Sequence, residues 1–372
     1  MKARITASEF NAALKRVSKA VDNKNVCTWM SGILLEADES NGTMVATAAN
    51  GSQTVRESIA CNVLCGGRIL LDGKLLSDIV SKLPFGECEV DATDGKKAVV
   101  KAKGYKTNLS LLKADDFIGK VECEGKTDTI SMAAAELVNA IKTVLYAAAI
   151  QDTRATLVGV NIESKGGGDA LFCGLNGFQL AVCRARVNGS GSAMNIIVPR
   201  KCASDIISVI PATDSEVRIT TDGKSVVFAY GDMLIRAQLV AGEYINYRAI
   251  TDGKQSVTEV AFDVRLFKGA VERVMLLGDG RNKLLRLSVQ NGRMSVSARG
   301  DIGDAVEEIE CRVRGEDIQS AYNGQYLLDA LGTISEEEAK ITFSSAAGPA
   351  FIKSTSGAGY LHCVLPVRVV GQ

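Results

Sequence analysis

The feature that most constrains this chain is a pattern that occurs three times along its 372 residues. Three segments place apolar residues at positions i, i+3, i+4 and i+7, which form one stripe on an amphipathic helix. The stripes are Phe10, Ala13, Leu14 and Val17; Leu137, Ala140, Ile141 and Val144; and Phe267, Ala270, Val271 and Val274. Their last valines lie 127 and then 130 positions apart. A period of this length predicts three domains of similar fold.

Two further elements repeat at the same spacing. Residues 77–84 resemble residues 204–211, and a looser third copy lies at 326–331. Asp94-Gly95-Lys96 and Asp222-Gly223-Lys224 each stand between alternating apolar runs, which predicts two hairpins. The third copy, at 344–349, lacks the Asp-Gly signal.

These repeats predict an α+β fold in which every domain packs two helices on antiparallel sheet. The predicted domains are residues 1–127, 128–256 and 257–372, and each begins with a strand and a long helix. Strands are expected at 32–36, 158–163 and 284–289, directly after the first helix of each domain. The last helix is expected over about 317–331.

Composition limits the class of protein without identifying it. Lys plus Arg and Asp plus Glu both number 43, so any basic surface must be local and balanced by acid elsewhere. Ten cysteines with no C-x-x-C spacing are typical of reduced thiols in the cytoplasm. No apolar leader and no run of about 20 apolar residues is present, so we expect a cytoplasmic protein that does not span a membrane.

The sequence offers little to catalysis. His362 is the single histidine, so a catalytic triad would have only this one residue as its base, and a histidine-rich metal site cannot form. Gly223-Lys224-Ser225 resembles the end of a phosphate-binding loop, but Arg218 stands where that motif needs Gly. Ser110-Leu111-Leu112-Lys113 fits S-x-x-K without its companion motifs. We therefore predict no catalytic, metal-binding or cofactor-binding residues and no cofactor.

Several segments resemble the bacterial DNA sliding clamp family, the beta subunit of DNA polymerase III. They are residues 151–160, 174–182, 197–201, 239–248 and 360–369, and they follow the order of the family. The resemblance implies a non-catalytic processivity factor: a head-to-tail homodimeric ring around duplex DNA, with helices lining the hole. It also implies that the ring tethers the replicative polymerase, the clamp loader and other proteins that carry a clamp-binding motif.

Basic side chains on the inner helices are the expected DNA contacts, because a sliding ring must attract phosphates without reading bases. The candidates are Lys15, Arg16, Lys19, Lys24, Lys74, Lys82, Lys142, Arg154, Arg200, Lys201, Arg265, Lys268 and Arg273. The alternative for each of them is a solvated surface position.

The resemblance also implies an apolar groove for partner peptides between the second and third domains. Its matched residues are Leu157, Leu175, Gly177, Phe178, Gln179, Leu180, Ile245, Ala249, Ile250, Val364, Leu365, Pro366, Val367 and Arg368. The chain departs from the family at Phe178 and Gln179, where a His-Arg pair is frequent. It also has Ile245 in place of Pro and Ala249 in place of a basic residue. The alternative is that these apolar residues form only a core.

The family's subunit joint is expected at Leu276 and Leu277 of one chain against Thr107 and Leu109 of the other. An edge strand that a second chain completes satisfies its unpaired backbone groups. Two other functions stay open on the sequence: a repeat-built protein-interaction scaffold that does not encircle DNA, and an enzyme with an unrecognised carboxylate site.

Overall fold

The computed structural model describes residues 1–22, 24, 27–189, 191–252, 256–278 and 283–367. One order of elements occurs three times: a strand, a helix, four or five strands, a second helix and three strands. The first repeat contains β1 (Lys2–Thr6), α1 (Ala7–Val17), β2 (Gly32–Asp38), β3 (Thr43–Ala49), β4 (Gln53–Ala60), β5 (Asn62–Cys65), β6 (Gly67–Asp72), α2 (Gly73–Ser81), β7 (Glu87–Asp91), β8 (Lys97–Ala102) and β9 (Tyr105–Ser110). The second contains β10 (Asp128–Ala133), α3 (Ala134–Leu145), β11 (Gly159–Lys165), β12 (Asp169–Leu175), β13 (Gln179–Arg186), β14 (Ala193–Pro199), α4 (Arg200–Val209), β15 (Glu216–Thr221), β16 (Ser225–Tyr230) and β17 (Met233–Gln238).

The third repeat follows a short helix, α5 (Arg248–Thr251). It contains β18 (Thr258–Asp263), α6 (Val264–Met275), β19 (Leu284–Gln290), β20 (Arg293–Gly300), β21 (Gly303–Ile309), β22 (Cys311–Gly315), β23 (Ile318–Asn323), α7 (Gly324–Leu331), β24 (Glu338–Phe343), β25 (Ala350–Ser354) and β26 (Tyr360–Val364). Short 3-10 turns lie at Ser18–Ala20, Thr28–Ser31 and Ala155–Leu157. The predicted α+β fold of three similar domains is confirmed.

The helices form where the apolar stripes predict them. Phe10, Leu14 and Val17 on α1 are fully buried, as are the equivalent side chains on α3 and α6. Side-chain oxygens of Asp72, Asp263 and Asn323 accept backbone N–H groups in the first turns of α2, α6 and α7. These caps fix where each helix begins.

One helix prediction is wrong at its start. Residues 317–331 were expected to be helical throughout, but Ile318–Asn323 is the strand β23, which pairs with β19. The N-cap at Asn323 marks the true start, since its side chain accepts the N–H of Gln325 and α7 begins only at Gly324. The two Asp-Gly hairpins are present: Gly95 and Gly223 adopt φ of +69° and +80° between paired strands.

The chain folds into two compact units. The first contains Met1–Ala135, Asn188–Ser192 and Asp205–Leu239. Its sheets have the orders β5-β1-β7-β8-β9 and β10-β15-β16-β17-β4-β3-β2-β6. In the larger sheet, antiparallel pairing from Met233 opposite Glu57 to Ala237 opposite Gln53 joins a strand of the second repeat to one of the first.

The second unit contains Glu136–Val187, Ala193–Ser204 and Val240–Gln372. Its sheets have the orders β14-β11-β12-β13-β26-β25-β24-β18-β22 and β21-β20-β19-β23. Here β13 pairs with β26, from Gln179 opposite Val364 to Cys183 opposite Tyr360, and joins the second repeat to the third. No helix in the described ranges has both the length and the apolar character that a membrane crossing requires.

Candidate interaction sites

An apolar cluster lies where β13 meets β26 in the second unit. Its buried members, here called the groove cluster, are Ala149, Leu157, Cys173, Leu175, Leu180, Tyr247, Phe351 and Cys363. Half-buried side chains pack around them: Val158, Val182, Tyr244, Ile245, Ile250 and Leu361. The predicted residues Leu157, Leu175 and Leu180 are brought together as a floor, and Ile245 and Ile250 form part of the wall. Ala249 lies beside them and is exposed.

Two stacked aromatic rings, here called the rim, stand at the turn that leads into β13, and one of them, Tyr326, packs against the core of the third repeat. Phe178 stands in the turn between β12 and β13 next to the exposed Gly177, and 59% of Phe178 is exposed. Its ring stacks on Tyr326, with centroids 6.1 Å apart and planes inclined by 27°. Leu365 donates its backbone N–H to the carbonyl of Phe178, which brings the end of β26 to the same rim. Leu365, Pro366 and Val367 are all partly exposed there.

Gln179 is not a surface residue of the groove. Only 3% of it is exposed, and its amide nitrogen donates to the Tyr326 carbonyl at 3.3 Å. Its amide oxygen accepts from the Asn176 side chain at 3.0 Å. Gln179 therefore fixes the rim from beneath.

The prediction for Val364 is wrong, because Val364 belongs to the separate core of the third repeat. Successive side chains of a strand point to opposite faces, so β26 turns Leu361 and Cys363 toward the groove cluster and Val364 away from it. That alternation is visible in the sequence and would have found both residues. Arg368 lies outside the described residues.

Buried titratable groups near the groove stay uncharged. Burial raises the pKa of the Cys173 thiol well above its usual range and that of the Tyr247 phenol to about 12. Arg248 forms an ion pair with Glu163 at 2.8 Å, and Arg154 forms one with Asp152 at 3.1 Å. The site thus offers apolar surface rather than an activated nucleophile.

The single histidine is part of a buried hydrogen-bond chain. His362 is fully buried, with Nδ1 2.9 Å from the Tyr146 hydroxyl and Nε2 3.3 Å from the Thr333 hydroxyl. Because Thr333 donates to the Ala330 carbonyl at 2.9 Å, its oxygen accepts from Nε2–H. The chain then runs from the Tyr146 hydroxyl to a neutral imidazole and on to Thr333. Burial lowers the pKa of His362 to about 3, which agrees with that neutral ring.

The helices carry more positive charge than the chain as a whole. The two helices of each repeat together hold nine Lys or Arg residues and six Asp or Glu residues. Among the predicted DNA contacts, six form no ion pair with any described residue: Lys15, Lys74, Lys82, Lys142, Arg265 and Lys268. Lys24 and Lys201 are exposed and Lys19 is half-buried. Local excess charge on helices within a neutral chain suits attraction to phosphate.

Three of the predicted DNA-facing arginines are held by carboxylates. Arg16 is paired with Glu57, Arg273 with Glu307, and Arg154 with Asp152. Their charges are thereby largely balanced.

Arg200 makes contacts that the sequence did not predict. Its guanidinium donates to the carbonyls of Leu145 and Ala148 at the C-terminal end of α3. Helix ends leave carbonyls without partners, and a cation there also suits the helix dipole. Arg200 therefore caps α3, and the nitrogen that makes these bonds is not free for the predicted phosphate contact.

The predicted joint residues lie at two sheet edges. β9 and β21 each end a sheet in the described part of the chain. On β9, Thr107 is half-buried and Leu109 is buried. Leu276 is 79% exposed and Leu277 lies against Gly303 at the start of β21. Ile302 and Val306, which are not among the residues predicted for the joint, are 86% and 67% exposed around that edge. Their alternation with polar neighbours is typical of any half-exposed strand.

These features define a class of protein: three equivalent α+β domains whose sheets join edge to edge, with an apolar cluster at one joint. Family models for the N-terminal, central and C-terminal domains of the DNA polymerase III beta subunit match residues 1–119, 131–246 and 253–368. The chain belongs to this family, and its function is that of a non-catalytic processivity clamp in DNA replication.

Individual relatives agree with this assignment. The beta sliding clamp of Synechocystis sp. is 28% identical, over 98% of both chains. A solved sliding clamp from Pseudomonas aeruginosa, bound to griselimycin, shares the fold with a TM-score of 0.93 at 24% identity, over 99% of this chain and all of that one. The Bacillus subtilis sliding clamp gives a TM-score of 0.92 at 23% identity, over 99% of both chains.

Proposed function

We propose that two copies of this chain close head to tail into a ring that encircles duplex DNA and slides along it without reading sequence. The domains span residues 1–127, 128–256 and 257–372, so the ring holds six. The ring tethers the replicative polymerase, the clamp loader and other motif-bearing proteins to DNA in the cytoplasm. The competing scaffold function shares the groove but requires neither a ring nor DNA.

The main support for the proposal is a pairing of edge strands between consecutive repeats. It occurs twice within the chain and could occur a third time between two copies. The third strand after the first helix of a repeat (β4, β13) pairs with the last strand of the following repeat (β17, β26). The strands that correspond to these in the third and first repeats are β21 and β9, and each ends a sheet. Pairing β21 of one copy with β9 of the other completes their backbone hydrogen bonds. Such a heterologous interface generates a closed ring when the rotation between the copies closes, which is what we propose for two copies of three domains.

The repeat also predicts the register of that third joint. Glu57 and Glu307 hold equivalent places, because each accepts from the arginine that precedes the last buried valine of its helix. Met233 and Tyr105 hold equivalent places, since each begins its strand after a two-residue turn. Glu57 lies opposite Met233.

Glu307 is therefore expected opposite Tyr105 of the other copy. Antiparallel pairing then puts Ala305 opposite Thr107 and Gly303 opposite Leu109. The exposed side chains of Leu276 and Val306 would be covered in this joint, which accounts for apolar surface that a monomer would leave in water.

For the groove, we propose that partner peptides bury apolar side chains against the groove cluster. Support comes from its composition: the floor is fully apolar, while Ile245, Ile250 and Leu365 are only partly covered and can accept more contact. Two arginines near it, Arg154 and Arg248, are already paired with carboxylates, and Lys353 lies over the ring of Phe351. Binding energy is therefore expected to come from apolar contact.

For DNA, we propose that the unpaired basic side chains of the helices supply a diffuse, salt-sensitive attraction. Lys15, Lys74, Lys142 and Arg265 are exposed and form no ion pair with described residues. Contacts of this kind go to phosphates and carry no sequence information. The ring can then move along the duplex without crossing deep energy wells.

The mass in solution tests the joint first. Light scattering should give twice 39.4 kDa. In a background with Cys27→Ser and Cys65→Ser, which removes exposed thiols, Thr107→Cys combined with Ala305→Cys should form covalent dimers on mild oxidation. The matched control Lys106→Cys with Ala305→Cys shifts the register by one and points the thiols to opposite faces. A clean monomer, or equal cross-linking in the control, would contradict the proposed joint.

A further inference from the structure

The same four-residue turn leads into the joining strand at both internal joints, where β4 pairs with β17 and β13 pairs with β26. Its sequence is Asn-Gly-x-Gln, at residues 50–53 and 176–179. In each copy the asparagine side-chain oxygen accepts the backbone N–H groups of the third and fourth residues. The glycine has a positive φ, +81° at Gly51 and +90° at Gly177. The turn therefore fixes where each joining strand begins.

The glutamine that ends this turn fastens each internal joint. Gln53 and Gln179 are both buried. The amide nitrogen of Gln53 donates to the Asp205 carboxylate at 3.1 Å, and that of Gln179 donates to the Asp329 carboxylate at 3.5 Å. Each aspartate is the sixth residue of the second helix of the following repeat, α4 or α7. This glutamine–aspartate pair is here called the latch. A buried hydrogen bond to a charged group stabilises more than one between neutral groups.

The third copy of the turn has lost its glutamine. Residues 300–303 read Gly-Asp-Ile-Gly, so Gly303 stands at the glutamine position. The aspartate of the latch is still present in the first repeat, because Asp78 is the sixth residue of α2, and it is exposed. Glycine has no side chain with which to meet that carboxylate. The proposed joint between two copies therefore has no latch.

The third residue of the turn is apolar and strongly exposed in the third copy. Ile302 is 86% exposed. Its equivalent at the second internal joint, Phe178, stacks on Tyr326, which is the third residue of α7. The third residue of α2 is Leu75, which is 49% exposed. The repeat thus pairs the position of Ile302 with that of Leu75.

The backbone at this third position is held in the same way at both internal joints. The Ser52 carbonyl accepts the Gln238 N–H, and the Phe178 carbonyl accepts the Leu365 N–H, each at 2.9 Å. Each donor comes directly after the residue that lies opposite the latch glutamine. The same bond at the joint between copies would anchor the third turn, so that its third side chain lies against the second helix of the neighbouring domain.

We propose that the joint between two copies is held by an apolar clasp, Leu75 of one copy against Ile302 of the other, and lacks the latch of the internal joints. The clasp covers two apolar side chains that a single copy exposes to water. Separation of the copies then breaks no buried hydrogen bond to a charged group at this position. This inference rests on the proposed head-to-tail joint and names the side chains that close it.

The test mixes two full-length variants, Leu75→Lys and Ile302→Glu, one of them labelled with heavy nitrogen. Each homodimer has two mismatched joints, whereas the heterodimer has one Lys–Glu joint and one unchanged Leu–Ile joint. Native mass spectrometry at equilibrium gives the squared heterodimer concentration divided by the product of the two homodimer concentrations, a ratio that equals four for chance pairing. The costs of the single substitutions cancel in this ratio, so direct contact should raise it by about fivefold or more.

Ile118→Lys replaces Leu75→Lys in the matched control mixture, because Ile118 is also exposed in the first unit but lies on no strand or helix of the joint. The control ratio should stay at the chance value. Asp78→Asn should change the dissociation constant of the dimer by less than about twofold, since no glutamine meets this carboxylate.

Two results would overturn the clasp while leaving the joint itself standing: a chance ratio for the mixture of Leu75→Lys and Ile302→Glu, or no heterodimer in it, when wild type dimerises. A dimer that is tenfold weaker in Asp78→Asn would overturn the missing latch. If wild type is a monomer, the proposed joint fails, and the inference fails with it.

Discussion

The buried residue His362 should contribute strongly to the destabilisation of this protein by acid. The ring is fully buried, accepts from Tyr146 at Nδ1, and has a pKa lowered to about 3 from 6.5. In the unfolded chain the imidazole binds a proton as the pH falls below 6.5, whereas the folded protein excludes that proton until about pH 3. A depressed folded pKa contributes stability that is complete above pH 6.5 and is lost progressively as the pH falls toward 3.

The magnitude follows from the two pKa values. At pH 4.5 the unfolded histidine lies two units below its pKa, so folding costs about 2.7 kcal/mol more than at neutral pH from this group alone. Carboxylates add their own acid dependence; for example, the pKa of Asp91 is lowered to about 2, chiefly by the Thr93 hydroxyl. A variant without the imidazole separates the two contributions.

The assay is urea unfolding of wild type and His362→Gln at pH 7.5 and 4.5, at one protein concentration. Wild type should lose about 2.7 kcal/mol more than the variant between the two pH values. Because the chain has one histidine, selective isotope labelling gives a single set of imidazole NMR signals. Their chemical shifts should remain those of a neutral imidazole down to about pH 4. Equal losses in both proteins, or an imidazole that titrates near 6.5, would refute the buried hydrogen-bond chain.

Three further predictions concern the joint, the helices and the Arg200 cap. Charging the joint with Leu276→Asp and Leu277→Asp should give a folded monomer of 39.4 kDa by light scattering, whereas Ile118→Asp, at a residue that is also exposed, should remain a dimer; a dimer in both would contradict the joint. Replacing Lys15, Lys74 and Lys142 with Ala should make the slope of log K against log salt, for binding to a short duplex, shallower by about 0.9 per lost phosphate contact. Lys97→Ala on β8 should leave that slope unchanged; equal slopes in all variants would argue against DNA-facing helices. Arg200→Ala should lower the free energy of unfolding by about 1–2 kcal/mol through the uncapped end of α3 without changing that slope; a changed slope would restore the phosphate role.

Much of the fold could be predicted because its helices and hairpins follow from periodic patterns of apolar and turn residues in the sequence. The stripes that contain Phe10, Leu137 and Phe267 each gave a helix, and the two Asp-Gly turns gave their hairpins. The start of α7 could not be placed, because Ile318–Asn323 is too short and too mixed in polarity to separate a strand from a helix turn.

The residues of the candidate site also fall into two groups: those that local sequence could identify and those whose position depends on long-range pairing. Floor residues such as Leu157 and Leu180 could be found because their segments match the family. Phe351 could not, since its contact with the groove cluster depends on pairing between β25 and β26. The Arg200 cap could not be found, because a basic residue at the start of one helix gives no sign that it reaches carbonyls at the end of another.

Retention on DNA of different topology tests the central claim most directly. The protein is assembled by a clamp loader on nicked circular plasmid, stripped of loose binders with salt, and followed by gel filtration before and after one cut linearises the plasmid. A ring that encircles the duplex should stay with the circle and leave once the DNA has ends, because the link is topological and the phosphate contacts are screened at high salt. Equal retention on circular and linear DNA, or none on either, would contradict the account and favour an interaction scaffold that does not encircle DNA.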